Sequence, residues 1–150
     1  MLNLQWRTFN ELSAGELYTA LALRQDVFIL EQRCLYPDID GLDEHATHLL
    51  GLVNQTLAGY IRIFPKGISY PDATSFGRVA TAMQFRRQGL AKIMALAAIS
   101  FLAQLAPQDP IVISAQSYLQ TFYAGLGFKA EGDEYLEDGI PHLQMRYHHA

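Results

Sequence analysis

Hydrophobic residues recur with helical spacing over residues 90–105, directly after a short strand-like segment at residues 78–82. Eight apolar positions share one face of this helix: Leu90, Ile93, Met94, Ala97, Ala98, Phe101, Leu102 and Leu105. Their offsets from Leu90 (0, 3, 4, 7, 8, 11, 12 and 15) predict one long helix with a single buried stripe. Pro107 is expected to end the helix region.

Alternating and helical patterns elsewhere predict the remaining elements. Strands are expected at residues 2–8, 48–54, 57–64, 111–115, 128–136 and 142–147. The Ser13-x-x-Glu16 capping box predicts a helix to about Glu31, with Leu17, Leu21, Arg24 and Phe28 near one face. A second, short helix is expected to begin at Ser117 and to end before Gly127.

The resulting order, β-α-β-β-β-α-β-α-β-β, predicts one α/β domain over residues 1–150. The strands that flank the long helix are expected to be parallel neighbours, because a helical crossover joins them. The hairpins at either end imply antiparallel pairs. We therefore expect a central mixed β-sheet with helices packed on both faces.

Composition narrows the functional class. Half of the residues are hydrophobic and 17% are charged, as in a globular chain, and the net charge of −4 argues against a nucleic-acid partner. No secretory signal and no membrane-spanning run is present, so a cytoplasmic location without membrane association is expected. Cys34 is the single cysteine, which excludes an intramolecular disulfide.

The start of the long helix has the character of an anion site. Arg86 and Arg87 precede it, and Gly89 and Ala91 place small residues at its first turn. Unpaired backbone N–H groups and the helix dipole both favour negative charge there. This segment therefore predicts a phosphate or pyrophosphate site.

An acidic loop precedes the central strands. Four carboxylates fall within seven residues: Asp38, Asp40, Asp43 and Glu44. They are either solvated loop acids or an acidic rim facing a substrate.

A zinc site from His45, His48 and His142 is conceivable, but no cysteine partner lies nearby, so no metal is expected.

Several blocks together resemble the Gcn5-related N-acetyltransferase (GNAT) superfamily. The family signature Q/R-x-x-G-x-G/A stands here as Arg86 to Ala91, and its second block, tyrosine followed by Gly-Phe, as Phe122 to Phe128. Further blocks are similar to the ElaA-like branch: Leu23 to Gln32, Asp38 to Gly41, Ala115 to Tyr123 and Glu137 to His142. The resemblance covers nearly the whole chain and implies an acyl-CoA N-acyltransferase fold.

The resemblance also implies roles for individual residues. Acetyl-CoA is the implied co-substrate, with its pyrophosphate held by backbone amides around Arg86, Arg87, Gln88, Gly89 and Ala91. Val79 is the implied donor to the thioester carbonyl, and Thr81 and Gln116 are implied contacts of the cofactor.

Tyr123 matches the family's general acid, which protonates the departing thiolate. The general base stays open among Glu31, Asp40, Glu44, His45 and His142, with His142 and Glu31 favoured.

The expected activity is therefore transfer of an acetyl group to a primary amine of a small molecule or peptide, by direct attack in a ternary complex. The acidic loop hints at a cationic amine. Two alternatives remain: a non-catalytic acyl-CoA-binding module, and an acyltransferase similar to acyl-homoserine-lactone synthases. The resemblance leaves a homodimer open.

Overall fold

The computed structural model describes residues 1–150 as seven strands and three α-helices, with short helical turns between them. The strands are β1 (Leu2–Thr8), β2 (Thr47–Val53), β3 (Thr56–Phe64), β4 (Ser75–Thr81), β5 (Ile111–Gln116), β6 (Lys129–Glu137) and β7 (Ile140–Tyr147). The helices are α1 (Ala14–Arg24), which continues as a π-helical segment (Gln25–Glu31), α2 (Leu90–Leu105) and α3 (Gln120–Ala124). No helix is long and apolar enough to cross a bilayer.

The strands form two antiparallel sheets, ordered β1-β2-β3-β4 and β5-β7-β6. A parallel bridge between Thr74 and Ile111 joins them, and Val112 N donates to Thr74 O at 2.9 Å. The α/β class is confirmed, and the parallel pairing expected around α2 is reduced to this one bridge. Beyond it β4 and β5 diverge, which opens a cleft between the two sheets.

Helix α2 packs on the first sheet with a buried face that differs from the predicted stripe. Ala95 and Ile99 are buried, whereas Ile93 and Leu105 are about half exposed. The helix is apolar around most of its circumference, so periodicity alone does not select the face that meets the sheet. The helix approaches β2 closely at Gly51, where a Cβ would lie 2.7 Å from the sulfur of Met94 and would require that side chain to shift.

Local signals were right at one helix start and wrong at another. The predicted capping box is present: Glu16 N donates to Ser13 Oγ at 3.0 Å, and Ser13 N donates to the Glu16 carboxylate at 2.9 Å. Ser117, by contrast, caps nothing, since its buried hydroxyl has no hydrogen-bond partner. It instead begins a 3-10 turn (Ser117–Leu119) that leads into α3.

Candidate active site

The cleft between β4 and β5 holds two adjoining cavities of about 490 and 470 Å³. The smaller lies at the N-terminus of α2, which we call the donor side, and the larger extends along β5, β6 and β7, which we call the acceptor side. Both are lined by the same six residues: Val27, Gln32, Val79, Tyr118, Leu119 and Tyr123. A ligand entering from one side therefore reaches the other at this shared boundary.

The N-terminus of α2 lines the donor side with backbone donors. Gly89 is its N-cap, has a φ of 77° and provides no side-chain cap, and the first intrahelical bond runs from Ile93 N to Gly89 O. The N–H groups of Leu90, Ala91 and Lys92 therefore have no partner within the helix. This geometry fits a pyrophosphate. Arg86, Arg87, Gly89 and Ala91 line the cavity, whereas Gln88 is exposed and does not.

Strand β4 carries a bulge beside the cleft. Tyr60 and Arg62 of β3 pair with Ala80 and Gly77, so Arg78 and Val79 together lie opposite one residue, and Arg78 has a φ of 52°. On its other side β4 has no strand partner beyond the bridge at Thr74. Its free backbone groups can therefore bond an extended ligand, as the pantetheine arm of coenzyme A would require.

Arg86 and Glu31 form an ion pair at the mouth of the donor side. Both terminal nitrogens of Arg86 donate to the Glu31 carboxylate at 2.6 Å, and Arg86 Nε donates to Thr81 O at 3.1 Å. The hydrogen bonds from Arg86 hold the pKa of the Glu31 carboxyl below its ordinary value. Glu31 is therefore an engaged carboxylate, poorly suited to accept a proton.

A second contact lies beside the boundary between the two sides. The amides of Gln32 and Gln116 hydrogen-bond each other at 3.2 and 3.4 Å, which ties the end of the first helix to the end of β5. Gln116 lines the acceptor side. Gln116, for which a cofactor contact is predicted, thus bonds Gln32, which lines both cavities.

Tyr123 lies at the shared boundary and is only 6% exposed. Its ring packs among Phe76, Phe122 and Phe128. Burial strongly raises the pKa of Tyr123. A tyrosine hydroxyl is protonated at neutral pH in any case, so Tyr123 is in the protonation state that a proton donor needs.

His142 is also buried and lines the acceptor side. Its Nδ1 lies 2.7 Å from Ile140 O. A carbonyl oxygen only accepts, so Nδ1 carries the proton and the Nε2 of a neutral imidazole presents a lone pair. That nitrogen lies 3.5 Å from the carboxylate of Glu137 in β6.

Three of the four loop acids, Asp38, Asp40 and Asp43, are paired with arginines and line neither cavity, so neither interpretation holds for them; only Glu44 is a solvated loop acid. The fully buried Arg24 donates to Asp38 at 2.9 Å and to Asp43 at 2.7 Å. Arg62 binds Asp40 through two bonds of 2.9 Å, and Arg78 lies 2.7 Å from Asp38. Three guanidinium groups thus neutralise three carboxylates.

Burial and pairing act in opposite directions on these groups. Burial alone would lower the pKa of Arg24, but the bond to Asp43 and the nearby negative charge outweigh it and raise that pKa. Likewise, burial alone would raise the pKa of Asp43, but its bonds with Arg24 and Arg62 hold it below the ordinary value. Arg24 and Asp43 therefore both stay charged at neutral pH. The signal for this network was an arginine, Arg24, on the apolar face of α1.

Three candidate general bases belong to the acidic loop and do not line the cleft. Asp40 is paired with Arg62, and Glu44 and His45 are exposed and line neither cavity. His48 in β2 has one ring nitrogen 2.6 Å from Tyr60 Oη and the other 2.9 Å from Asp43 O. The three histidines considered for zinc therefore do not converge.

Diverging strands, a helix N-terminus aimed into their gap and a buried tyrosine between two cavities define an acyltransferase cleft. Residues 17–149 match the model of the acetyltransferase (GNAT) domain, and the chain belongs to this family.

Individual relatives extend over the whole chain. A UPF0039 protein of Synechocystis is 41% identical over 96% of this chain and 94% of its own length. Protein ElaA of Escherichia coli is 35% identical over 95% of each chain. The ElaA-like assignment is thereby confirmed.

Solved structures show the same architecture. An acyl-CoA N-acyltransferase from Pseudomonas aeruginosa superposes with a TM-score of 0.92 at 34% identity, covering 98% of this chain and 99% of that one. The crystal structure of Escherichia coli ElaA gives 0.91, also at 34% identity and with the same coverage. A CoA-dependent acyl-homoserine lactone synthase gives 0.77 over 97% and 82% of the chains, but at 17% identity it shares the fold alone.

Proposed function

We propose that this GNAT protein transfers an acetyl group from acetyl-CoA to a primary amine of a small molecule or peptide, by direct attack in a ternary complex. The observation that carries the proposal is the placement of two complementary proton-handling groups on one cavity. Tyr123 is held protonated, and His142 presents a lone pair.

The donor residues keep the roles that the family resemblance implies. The pyrophosphate is assigned to the free N–H groups at the start of α2, with Arg86, Arg87, Gly89 and Ala91 lining the cavity around it; Gln88, which does not line the cavity, keeps only the backbone role that the resemblance implies. The pantetheine arm is assigned to the cleft edge of β4. There Thr81 bonds the arm and the Val79 amide polarises the thioester carbonyl. Gln116 is assigned a contact at the boundary.

Two proton transfers complete the reaction. A primary ammonium has a pKa of about 10.4 and must lose a proton before its nitrogen can attack. In our assignment this proton goes to His142 Nε2. The nitrogen lone pair then forms the C–N bond while the C–S bond breaks, and Tyr123 gives its proton to the sulfur. The second proton of the nitrogen restores Tyr123, and the imidazolium releases its proton to solvent.

Between the two favoured bases, the geometry supports His142. The Glu31 carboxylate is already bound by both nitrogens of Arg86, at the mouth of the donor side and away from the acceptor wall. His142 instead has an available nitrogen on that wall. We assign Glu31 the role of holding Arg86 rather than that of taking a proton.

The test measures thiol release from acetyl-CoA with a panel of primary amines and detects acetylated products by mass. Tyr123→Phe should lower kcat about 100-fold or more, because the leaving thiolate loses its proton donor. The acetyl-CoA dissociation constant should not change. Tyr18→Phe, an exposed tyrosine of α1, is the control. Tight acetyl-CoA binding without turnover of any amine would instead identify an acyl-CoA-binding module.

A further inference from the structure

Two acidic residues on the acceptor side, Glu137 and Asp138, form no ion pair with a Lys or Arg, and only Glu137 pairs with His142. The loop acids Asp38, Asp40 and Asp43 are matched by Arg24, Arg62 and Arg78, so that wall contributes no net charge. On the opposite wall Glu137 has no Lys or Arg within ion-pairing distance, and its only basic neighbour is His142. Glu137 is therefore the carboxylate of this cavity that lies beside the proposed base.

Glu137 is oriented by its neighbours. Ser114 Oγ, in β5, donates to its Oε1 at 3.1 Å and also hydrogen-bonds the hydroxyl of Tyr135. The other oxygen, Oε2, faces His142. The side chain is 48% exposed, so a ligand in the cavity can reach it.

The pair formed by His142 and Glu137 lacks a donor. With Nδ1 donating to Ile140 O, the Nε2 of a neutral imidazole is an acceptor, and both oxygens of an ionised carboxylate are acceptors too. Two acceptors 3.5 Å apart are complementary to a cation with several N–H donors. The side chain of His142 is only 8% exposed and Tyr135 stacks on its ring, so the orientation of the imidazole is fixed.

The geometry points to Glu137 as the residue that binds the ammonium of the acceptor, an inference that rests on the proposed function and specifies its substrate class. The ammonium donates to Glu137 and to His142 Nε2. Proton transfer to His142 then leaves the positive charge beside the same carboxylate, so Glu137 stabilises the charge before and after the step. Glu137 acts as a specificity-determining residue.

The rest of the cavity has a mixed lining. Phe28 and Ile68 are partly exposed apolar side chains on it, and Ser69, Tyr70 and Gln116 are polar ones. The substrate class is therefore an aliphatic or arylalkyl primary amine that is protonated at neutral pH, because the proposal requires a cationic nitrogen beside Glu137. An amine with a carboxylate beside the nitrogen should be repelled by Glu137, and a weakly basic aromatic amine should gain nothing from it.

The test titrates 2-phenylethylamine into the protein saturated with coenzyme A and follows binding by calorimetry. Glu137→Gln keeps the shape of the side chain and removes its charge. It should weaken binding at least 10-fold, roughly the loss of one charge-assisted hydrogen bond. Glu137→Asp should bind more tightly than Glu137→Gln. Glu134→Gln, an exposed carboxylate of the same hairpin, is the control and should bind as the wild type does.

Two further probes separate this inference from the proposed function. Aniline and phenylalanine should each bind at least about 10-fold more weakly than 2-phenylethylamine to the wild type, and this preference should shrink in Glu137→Gln. Equal binding of 2-phenylethylamine by wild type and Glu137→Gln overturns the inference, whether or not acetylation occurs. Absence of turnover with any amine, despite Glu137-dependent binding, overturns the proposed function alone.

Discussion

The donor and acceptor sides of the cleft are built from different kinds of groups. The donor side uses backbone: the free N–H groups at the start of α2 and the unpaired edge of β4. The acceptor side uses side chains from distant parts of the chain, such as Arg62, Glu137 and His142. A backbone site needs only a local conformation, whereas a side-chain site needs several elements to converge.

This difference explains why the sequence predicts one side better than the other. Residues 86–91 are contiguous, and their spacing of arginine and small residues predicts a local conformation that binds an anion. No local segment predicts that Glu137 faces His142 or that Arg24 neutralises Asp43, because each contact joins different elements of the fold. If the two sides are as separate as this difference implies, a substitution on one side should leave the properties of the other unchanged.

The largest effect is expected at the buried network beneath the acceptor side. Arg24→Met should lower the free energy of unfolding by about 3–5 kcal/mol, because it removes from the buried Asp38 and Asp43 the fully buried guanidinium that they share. Urea-induced unfolding measures this. Lys66→Met, which removes an exposed pair with Asp109, should cost no more than about 1 kcal/mol. Equal stability of Arg24→Met and wild type would show that the network does not hold the loop.

The next effect concerns chemistry at the acceptor wall. His142→Gln should lower kcat by about 10²–10⁴-fold, the range for loss of a positioned general base. Steady-state thiol release measures kcat, and calorimetry should show unchanged acetyl-CoA affinity. His45→Gln, an exposed histidine, serves as the matched control. Weaker acetyl-CoA binding in His142→Gln would mean that the two sides are coupled.

Gly89 tests the backbone character of the donor side. Its φ of 77° disfavours a side chain, although a Cβ would meet no atom within 4 Å. Gly89→Ala should raise KM for acetyl-CoA about 10-fold because the N-terminus of α2 shifts, and should cost about 1 kcal/mol of stability.

Gly41→Ala is a matched control for that substitution. Gly41 has a φ of 80°, also with open space where a Cβ would lie, but belongs to the acidic loop. Its stability cost should be similar, and KM for acetyl-CoA should stay unchanged. Equal effects of the two substitutions on KM would remove the special role of Gly89.

A substitution at Glu31 distinguishes the two candidate bases, with a smaller expected effect on acetyl-CoA affinity. Glu31→Gln frees Arg86, so acetyl-CoA should bind up to about 5-fold more tightly, the worth of a surface ion pair, with kcat unchanged. Glu16→Gln, which breaks the exposed pair with Arg7, should change neither quantity. A large drop in kcat for Glu31→Gln would assign the base to Glu31 and contradict the role given to His142.

The smallest effect is a dependence of stability on pH. Burial lowers the pKa of His48 from its ordinary value of 6.5, so the folded state holds it neutral. Its contribution is present above pH 6.5 and is lost as the pH falls from there. Asp43, whose pKa is also lowered, adds a further loss only below its ordinary value of 3.8. Urea unfolding between pH 7 and 4.5 should show a slope that His48→Gln flattens and His45→Gln leaves unchanged.

Several expectations from the sequence were confirmed because each rested on a local rule. The capping box at Ser13 and the family signature at residues 86–91 both depend on neighbours in the chain. Others were wrong because tertiary contacts outweighed the local rule. Ser117 follows β5 into a 3-10 turn instead of capping, and Ile93 faces solvent because the sheet meets another side of α2.

By itself, the sequence determined the order of the elements, the GNAT family and the segment expected to bind the pyrophosphate, because short-range conformation encodes all three. Only the tertiary structure decided how far β4 and β5 pair before they diverge. It also decided which acids the arginines neutralise and which carboxylate lies beside His142 without an arginine partner. Charge compensation depends on distances between residues far apart in the chain, such as Arg24 and Asp43, or Ser114 and Glu137. For that reason the proposed binding of the acceptor ammonium by Glu137 follows from the packing of the strands and not from the sequence alone.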